Sequence, residues 1–233
     1  MVTLSVFRSG RREGGRSGWG NRGRESAALA YLGLPTELIP TDPPADSHRP
    51  AVESVVDAIG RYVTDLTLIS PDHPPGWLAA LPIPAGWQIG RAENSPVQPT
   101  RTAVYRHDPL AGWDACETIS VFEFTGEPPE EVLRHNADCT LRALGADDIV
   151  VSTPIASLIP GVTAVRCSGH ITLGDQQRIW AQYSTYMTGG GMKGLLVEHG
   201  IFVKIDHQAT LTEDIAQLSN TVQGAFLNST DRR

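Results

Sequence analysis

The chain has 233 residues, 40% of them hydrophobic, and a formal net charge of −7 at pH 7. This length accommodates one domain of ordinary size with a tail, and the apolar content is sufficient for a substantial core. Residues 1–24 carry six Arg and one Glu, a net charge of +5, so the rest of the chain has a charge of −12. This acidic body argues against a nucleic-acid-binding core, because phosphate contacts need a concentrated basic surface.

The N-terminal region is predicted to lie outside the folded domain. Residues 1–24 are rich in Arg, Gly and Ser, and they contain too little apolar surface to offset the entropy lost on ordering. We interpret them as a solvated tail, with an arm that attracts RNA or a membrane as the alternative. We expect residues 1–50 to be a disordered basic and Pro-rich region, residues 51–66 an accessory helix, and residues 67–233 the domain.

The lack of a recognisable targeting signal and the few cysteines predict a cytoplasmic protein. The sequence shows no apolar signal-peptide segment near its start and no apolar run of the ~18 residues that span a bilayer. Its three cysteines are an odd number without CxxC spacing, which favours buried thiols over a zinc site and leaves one disulfide open. They are Cys116, Cys139 and Cys167.

Strands dominate the first part of the domain. Residues 81–87 alternate apolar residues with Pro, a pattern typical of an edge strand that ends in a turn. Short strands are predicted over residues 87–91 and 102–107. Residues 117–125 are rich in β-branched and aromatic side chains and predict a longer strand.

One helix is predicted in the middle of the domain. Pro128 and Pro129 favour a helix start, and Gly145 favours its end. Four apolar residues within it share one face at helical spacing. They are Leu133, Ala137, Leu141 and Leu144.

The second part of the domain is predicted to be hairpins followed by a helix. Strands over residues 163–173 and 177–188 flank Gly174-Asp175, and residues 194–205 indicate a second hairpin whose turn is Glu198-His199-Gly200. Thr210 and Glu213 have the spacing of a capping box. The helix that follows has one apolar stripe, formed by Ile215, Leu218, Val222 and Phe226. Together these elements predict an α+β fold, an antiparallel sheet flanked by helices.

Several short motifs accompany this order of elements. They are Pro84-Ala85-Gly86-Trp87 before the first strands, Gly126-Glu127-Pro128-Pro129-Glu130 before the middle helix, Pro160-Gly161 before a strand, and YxxYM and LLVEHGIFVKID in the last hairpins. With them, residues 67–229 resemble the PsbP-like fold, and within it most closely the actinobacterial LpqN/LpqT-type lipoprotein family. The Ran-binding Mog family shares that fold.

The resemblance implies an α/β/α sandwich without assigned catalysis. Members of the family are interpreted as ligand- or protein-binding modules, so we expect a non-catalytic binding or scaffold protein without a cofactor, whose partner is a protein or a small apolar ligand. A lipid anchor is not implied, because the first cysteine of this sequence is Cys116. No functional residue is implied either, since the matching positions are turn and core residues.

A small hydrolase or a metal-dependent enzyme is the alternative, and two clusters are candidates for its chemistry. His135 and Cys139 lie four residues apart on the predicted helix, and with Cys167 and His170 they would give a zinc site or a Cys–His pair if they converged.

The second cluster is acid–base. Asp206 and His207, with His199 across the predicted hairpin, would form it. Adjacent strand residues point to opposite faces, however, which argues against Asp206 and His207 acting together.

An aromatic strand face is the candidate binding surface. Trp180 and Tyr186 share a face with Gln182 and Ser184, and aromatic groups ringed by polar ones are typical of interfaces. The alternative is that a helix covers this face, with Trp180 as a core anchor. In that case the loops around residues 95–100 and 109–113, the latter ending in Trp113, are the next candidates.

Overall fold

The protein is described by a computed structural model that covers residues 54–91, 98–108, 112–173, 177–189 and 193–230. The predictions for residues 1–50, for Gly174-Asp175 and for residues 95–97 and 109–111 fall outside these described residues.

The described residues form one antiparallel sheet of eight strands with helices against it. The strands are β1 (Thr64–Leu68), β2 (Trp87–Gly90), β3 (Arg101–Tyr105), β4 (Ala115–Thr125), β5 (Asp147–Ser152), β6 (Val162–Thr172), β7 (Arg178–Thr188) and β8 (Gly194–Lys204). Their order across the sheet is β2-β3-β4-β8-β7-β6-β5, and β1 also pairs with β4. The helices are α1 (Val55–Gly60), α2 (Gly76–Ala79), α3 (Glu130–His135), α4 (Cys139–Ala143), α5 (Ile205–Gln208) and α6 (Thr212–Thr230), with a 3₁₀ turn over Ile155–Leu158. The predicted α+β class is confirmed.

The C-terminal helix α6 covers one face of the sheet, called here the α6 face. Leu218, Val222 and Phe226 are buried there and Ile215 is partly buried, so the predicted apolar stripe is confirmed. The helix begins at Thr212, and the Thr210 hydroxyl donates to the carbonyl of His207 instead of accepting from an N–H. The predicted capping box is therefore wrong.

Helices α1, α3 and α4 cover the opposite face, called here the α3–α4 face. The middle helix is two short helices and not one, because Asn136 interrupts it and its side-chain amide donates to the carbonyl of Val132 at 2.7 Å. Gly145 ends the segment with φ +71°, as its position predicted. The four apolar residues Leu133, Ala137, Leu141 and Leu144 are buried as expected.

The predicted turn at Glu198-His199-Gly200 is wrong, because these residues lie in the middle of β8. Gly200 has no positive φ; it faces Tyr183 on one neighbouring strand and Thr118 on the other. A Cβ atom at Gly200 would lie 2.9 Å from the Tyr183 ring and 3.0 Å from the Thr118 hydroxyl. Glycine is needed there for space and not for a turn.

The N-terminal boundary of the sheet lies slightly earlier than predicted. β1 begins at Thr64 and pairs with β4, whereas the sequence pattern placed the domain start near Thr67. The preceding helix α1 contributes Val55 and Ile59 to the core. The predicted edge strand over residues 81–87 is also wrong, since strand structure there begins only at Trp87.

Candidate functional site

The expected aromatic binding face is covered by a helix. Trp180, Gln182, Ser184 and Tyr186 do share the α6 face, but Ser184 and Tyr186 are fully buried. The Gln182 amide donates to the hydroxyl of Ser219 on α6 at 2.8 Å. These residues therefore do not form the open surface that we expected, because α6 occupies it.

The remaining aromatic residues of that prediction occupy different environments. The Tyr186 ring lies 5.4 Å from the ring of Phe226 on α6, so it is a core contact. Trp180 is half-buried and packs against a different cluster on the α6 face, one that contains Trp87 and Leu218. Trp113 is buried in the cluster on the α3–α4 face. Trp113 packs there with Ile179 and Tyr183 of β7, on the face opposite the one that carries Trp180 and Tyr186, so the structure does not bring Trp113 together with those two residues.

The cysteine and histidine candidates do not converge. His135 Nδ1 lies 2.8 Å from the Glu131 carbonyl, and the Cys139 thiol contacts the Asn136 side chain at 3.4 Å. Cys167 and His170 stand on opposite faces of β6, since their positions differ by an odd number. Of the two buried thiols, burial raises the pKa of Cys167 to about 12, so it is protonated at neutral pH and a poor nucleophile.

The predicted acid–base cluster is also not assembled. His199 is fully buried within β8, whereas Asp206 and His207 lie on the short helix α5 at the end of β8. His207 Nε2 lies instead 3.6 Å from Asp114. Although burial opposes it, the backbone N–H of His107 and the Lys204 ammonium hold the pKa of Asp114 below its usual value.

An exposed acidic corner beside β5 resembles a metal site in composition. Carboxylate oxygens of Asp147 and Asp148 lie 4.0 and 3.9 Å from His170 Nδ1. Both carboxylates already pair with the guanidinium of Arg178, at 3.0 and 3.4 Å. This ion pair accounts for the cluster without a metal.

A buried charged network, which the sequence reading missed, crosses the α6 face. The Glu117 carboxylate is fully buried, and it accepts from Arg101 at 3.2 Å and contacts His199 Nε2 at 3.0 Å. Arg101 also donates to the backbone carbonyls of Leu78 and Leu81, at 3.5 and 3.2 Å. The network joins strands β3, β4 and β8 to the segment around α2.

A second buried carboxylate, Glu198, lies on the α3–α4 face. Its Oε1 atom is buried and has no hydrogen-bond partner among the described residues. Burial, with a smaller contribution from the charge of Asp57, raises the pKa of Glu198 from 4.5 to about 7. The ionised form is therefore disfavoured in the folded protein.

Replacing Glu198 should increase stability at neutral and alkaline pH. Because its pKa is higher in the folded state, the unfolded chain ionises first, and stability is lost as the pH rises from about 4.5 to about 7. A shift of this size corresponds to about 3 kcal/mol. In urea denaturation, we expect the free energy of unfolding of Glu198→Gln to exceed that of the parent protein by up to about 3 kcal/mol at pH 8. Near pH 4 the two free energies should be equal. Equal stability at pH 8 would show that Glu198 is not destabilising when ionised.

A groove of about 640 Å³ lies at the β2 edge of the sheet and is called here the α2 groove. One wall is the segment around α2, and the floor comes from β2, β3 and residues 98–100. Its apolar lining includes Pro71, Pro74, Leu78, Leu81, Ile83 and Ile89. The loop around residues 95–100, expected as a fallback site, contributes residues 98–100 to this groove.

Two arginines and no described acidic residue line the α2 groove. Arg91 is exposed and pairs with Asp72 at 2.7 Å, outside the lining. Arg101 is buried, and its Nε atom has no partner among the described residues. The groove therefore combines an apolar wall with hydrogen-bond donors.

A smaller groove of about 350 Å³ lies between α1 and α3. It is lined by polar and apolar residues that include Tyr62, Val132 and His135. None of the described helices has the length and apolar character needed to cross a membrane.

Comparison with known proteins identifies a related architecture. The fold is similar to that of LpqN. The crystal structure of LpqN, described as involved in cell envelope biogenesis of Mycobacterium tuberculosis, superimposes with a TM-score of 0.52 and 15% sequence identity. The match covers 71% of this chain and 93% of LpqN. At this identity the likeness to LpqN shows a shared fold and transfers no site residue. No protein-family model and no curated protein sequence matches the chain.

Proposed function

We propose that this protein is a non-catalytic binding protein that holds a small, mainly apolar molecule in the α2 groove. The observation that supports this proposal is the groove itself, an apolar wall with a few convergent donors. Its volume of about 640 Å³ lies within the ~300–1,000 Å³ of typical small-molecule sites. The fold shared with LpqN is compatible with this role.

The geometry favours binding over the enzymatic alternative. Neither candidate set forms a convergent cluster: among the described residues, the His, Cys, Asp and Glu side chains that come together in a group of three are Asp147, Asp148 and His170. His135 pairs with the Glu131 carbonyl and Cys139 with the Asn136 side chain, both within the same helical segment. Both side chains of the Glu117–His199 pair are fully buried, and neither lines the α2 groove.

The PsbP-like assignment and the cytoplasmic location remain predictions from the sequence. The cell-envelope role belongs to LpqN.

A charge placed on the groove wall should weaken binding of an apolar probe. Ile89 lines the groove and is 61% exposed, whereas Val150, on the opposite edge strand β5, is 62% exposed and lies outside it. We expect Ile89→Glu to weaken binding of anilinonaphthalene sulfonate at least ten-fold, because a carboxylate would replace apolar wall. Binding is measured by fluorescence titration.

The matched control is Val150→Glu, which makes the same change in charge on a comparably exposed strand residue. It should leave the affinity of the dye within two-fold of the parent. If both variants weakened binding equally, or neither did, the dye would not occupy the α2 groove and the proposed function would lose its support.

A further inference from the structure

Arg101 is held rigidly at the α2 groove. Its side chain is 92% buried and lines the groove. One terminal nitrogen donates to the carbonyls of Leu78 and Leu81, and the other donates to Glu117. The guanidinium therefore needs no further ordering before it meets a ligand, which reduces the entropic cost of binding.

One donor of this guanidinium is unused. Arg101 Nε is buried, and the described residues offer it no acceptor. A buried donor without an acceptor is unfavourable, and a hydrogen bond to a charged donor is stronger than one between neutral groups. An acceptor oxygen supplied by a ligand would satisfy this N–H and would be fixed by it.

Building on the proposed function, we propose that the ligand carries an acyl oxygen, of a carboxylate or of its ester, that accepts from Arg101 Nε. Its apolar chain lies along Leu81, Ile83 and Ile89. These residues form the apolar wall beside Arg101.

Local charge defines which head groups fit. Glu117 balances the charge of Arg101, and Asp72 balances that of Arg91 at the mouth, so the groove does not demand an anion. The exposed Arg91–Asp72 pair, with side chains 67% and 62% exposed, is weak, and Arg91 can turn to a carboxylate at little cost. A quaternary ammonium head group has no acceptor and meets two guanidinium groups. An acyl oxygen, charged or neutral, is therefore preferred.

The test compares three ten-carbon amphiphiles as competitors of the bound dye, each below its critical micelle concentration. They are decanoate, methyl decanoate and decyltrimethylammonium. We expect decanoate and methyl decanoate to displace the dye at concentrations at least ten-fold lower than decyltrimethylammonium does. If decanoate binds more tightly than its ester, the natural ligand is a free carboxylic acid. If the two bind equally, the site accepts the acyl oxygen of an acid and of an ester alike.

Arg101→Lys removes the Nε donor while keeping a cation beside Glu117. We expect this substitution to lower the affinity for decanoate and for methyl decanoate at least ten-fold. The affinity for decyltrimethylammonium should stay within two-fold of that of the parent protein. The thermal midpoint of the variant is measured first. If Arg101→Lys does not fold, the comparison of the three amphiphiles on the parent protein decides whether the groove prefers an acyl oxygen.

The outcomes separate this inference from the proposed function. If all three amphiphiles displace the dye equally while Ile89→Glu still weakens dye binding, the groove binds apolar molecules. The proposal that an acyl oxygen accepts from Arg101 is then wrong. If none displaces the dye and Ile89→Glu has no effect, both proposals fail. If Arg101→Lys folds and keeps the preference for acyl compounds, the role assigned to Arg101 Nε is wrong.

Discussion

Glu117→Ala should lower the free energy of unfolding by about 3–5 kcal/mol. The Glu117 carboxylate is fully buried and contacts both Arg101 and His199. Its removal leaves the buried Arg101 guanidinium without a counter-charge, and an unpaired buried charge is one of the most destabilising features in a protein interior. Urea denaturation measures the difference.

A matched control lies on the same strand. Glu123 is also in β4, but its side chain is 39% exposed and pairs with the exposed Lys193. Glu123→Ala should cost less than about 1 kcal/mol, because surface ion pairs contribute little. If the two substitutions had the same small effect, the network of Arg101, Glu117 and His199 would not contribute to holding β3, β4 and β8 together.

Phe226→Ala should lower the free energy of unfolding by about 3–5 kcal/mol. Phe226 is fully buried between α6 and the sheet, and its ring lies 5.4 Å from that of Tyr186. The substitution removes apolar contact area and leaves a cavity beneath α6. The change is measured by the midpoint of chemical denaturation.

Asn228→Ala tests whether this loss is specific to the buried side of α6. Asn228 lies two residues further along the same helix and is exposed. Its substitution should change stability by no more than about 0.5 kcal/mol. An unchanged midpoint for Phe226→Ala would mean that α6 does not pack against the sheet, and that the face with Trp180, Gln182 and Ser184 is open after all.

Helical periodicity was the most informative part of the sequence. The stripe that ends in Phe226 predicted the buried side of α6, and Leu133, Ala137, Leu141 and Leu144 predicted a buried face even though their helix is interrupted. Local spacing determines such a stripe. It does not say which sheet face the helix covers, and that is why the face with Trp180 and Tyr186 was expected to be open.

Strand β8 was misread because it is buried on both faces. A hairpin was predicted since two apolar runs flank Glu198, His199 and Gly200, and polar residues followed by Gly usually mark a turn. In the structure, His199 Nε2 pairs with Glu117 of the neighbouring strand β4, which is distant in the sequence, and Gly200 makes room for Tyr183. Neither partner is visible in the local pattern.

The α2 groove also depends on contacts between segments that are distant in the sequence. Arg101 donates to the carbonyl of Leu81, twenty residues earlier, and Ile89 lies exposed on the edge strand β2. From the sequence, the loop at residues 95–100 was only the second choice for a binding surface, and no pattern singled out Arg101. Sheet order, which sequence periodicity does not determine, brings these parts together.

The most direct test of the groove as the ligand site is nuclear magnetic resonance with decanoate that carries a nitroxide at the end of its chain. The nitroxide should broaden the backbone amide signals of Leu81, Ile89 and Gly90, which line the groove, and leave those of Val150 and Val151 on β5 unchanged. Broadening confined to β5, or to Tyr62 and Val132 in the smaller groove, would contradict the assignment of the α2 groove as the ligand site.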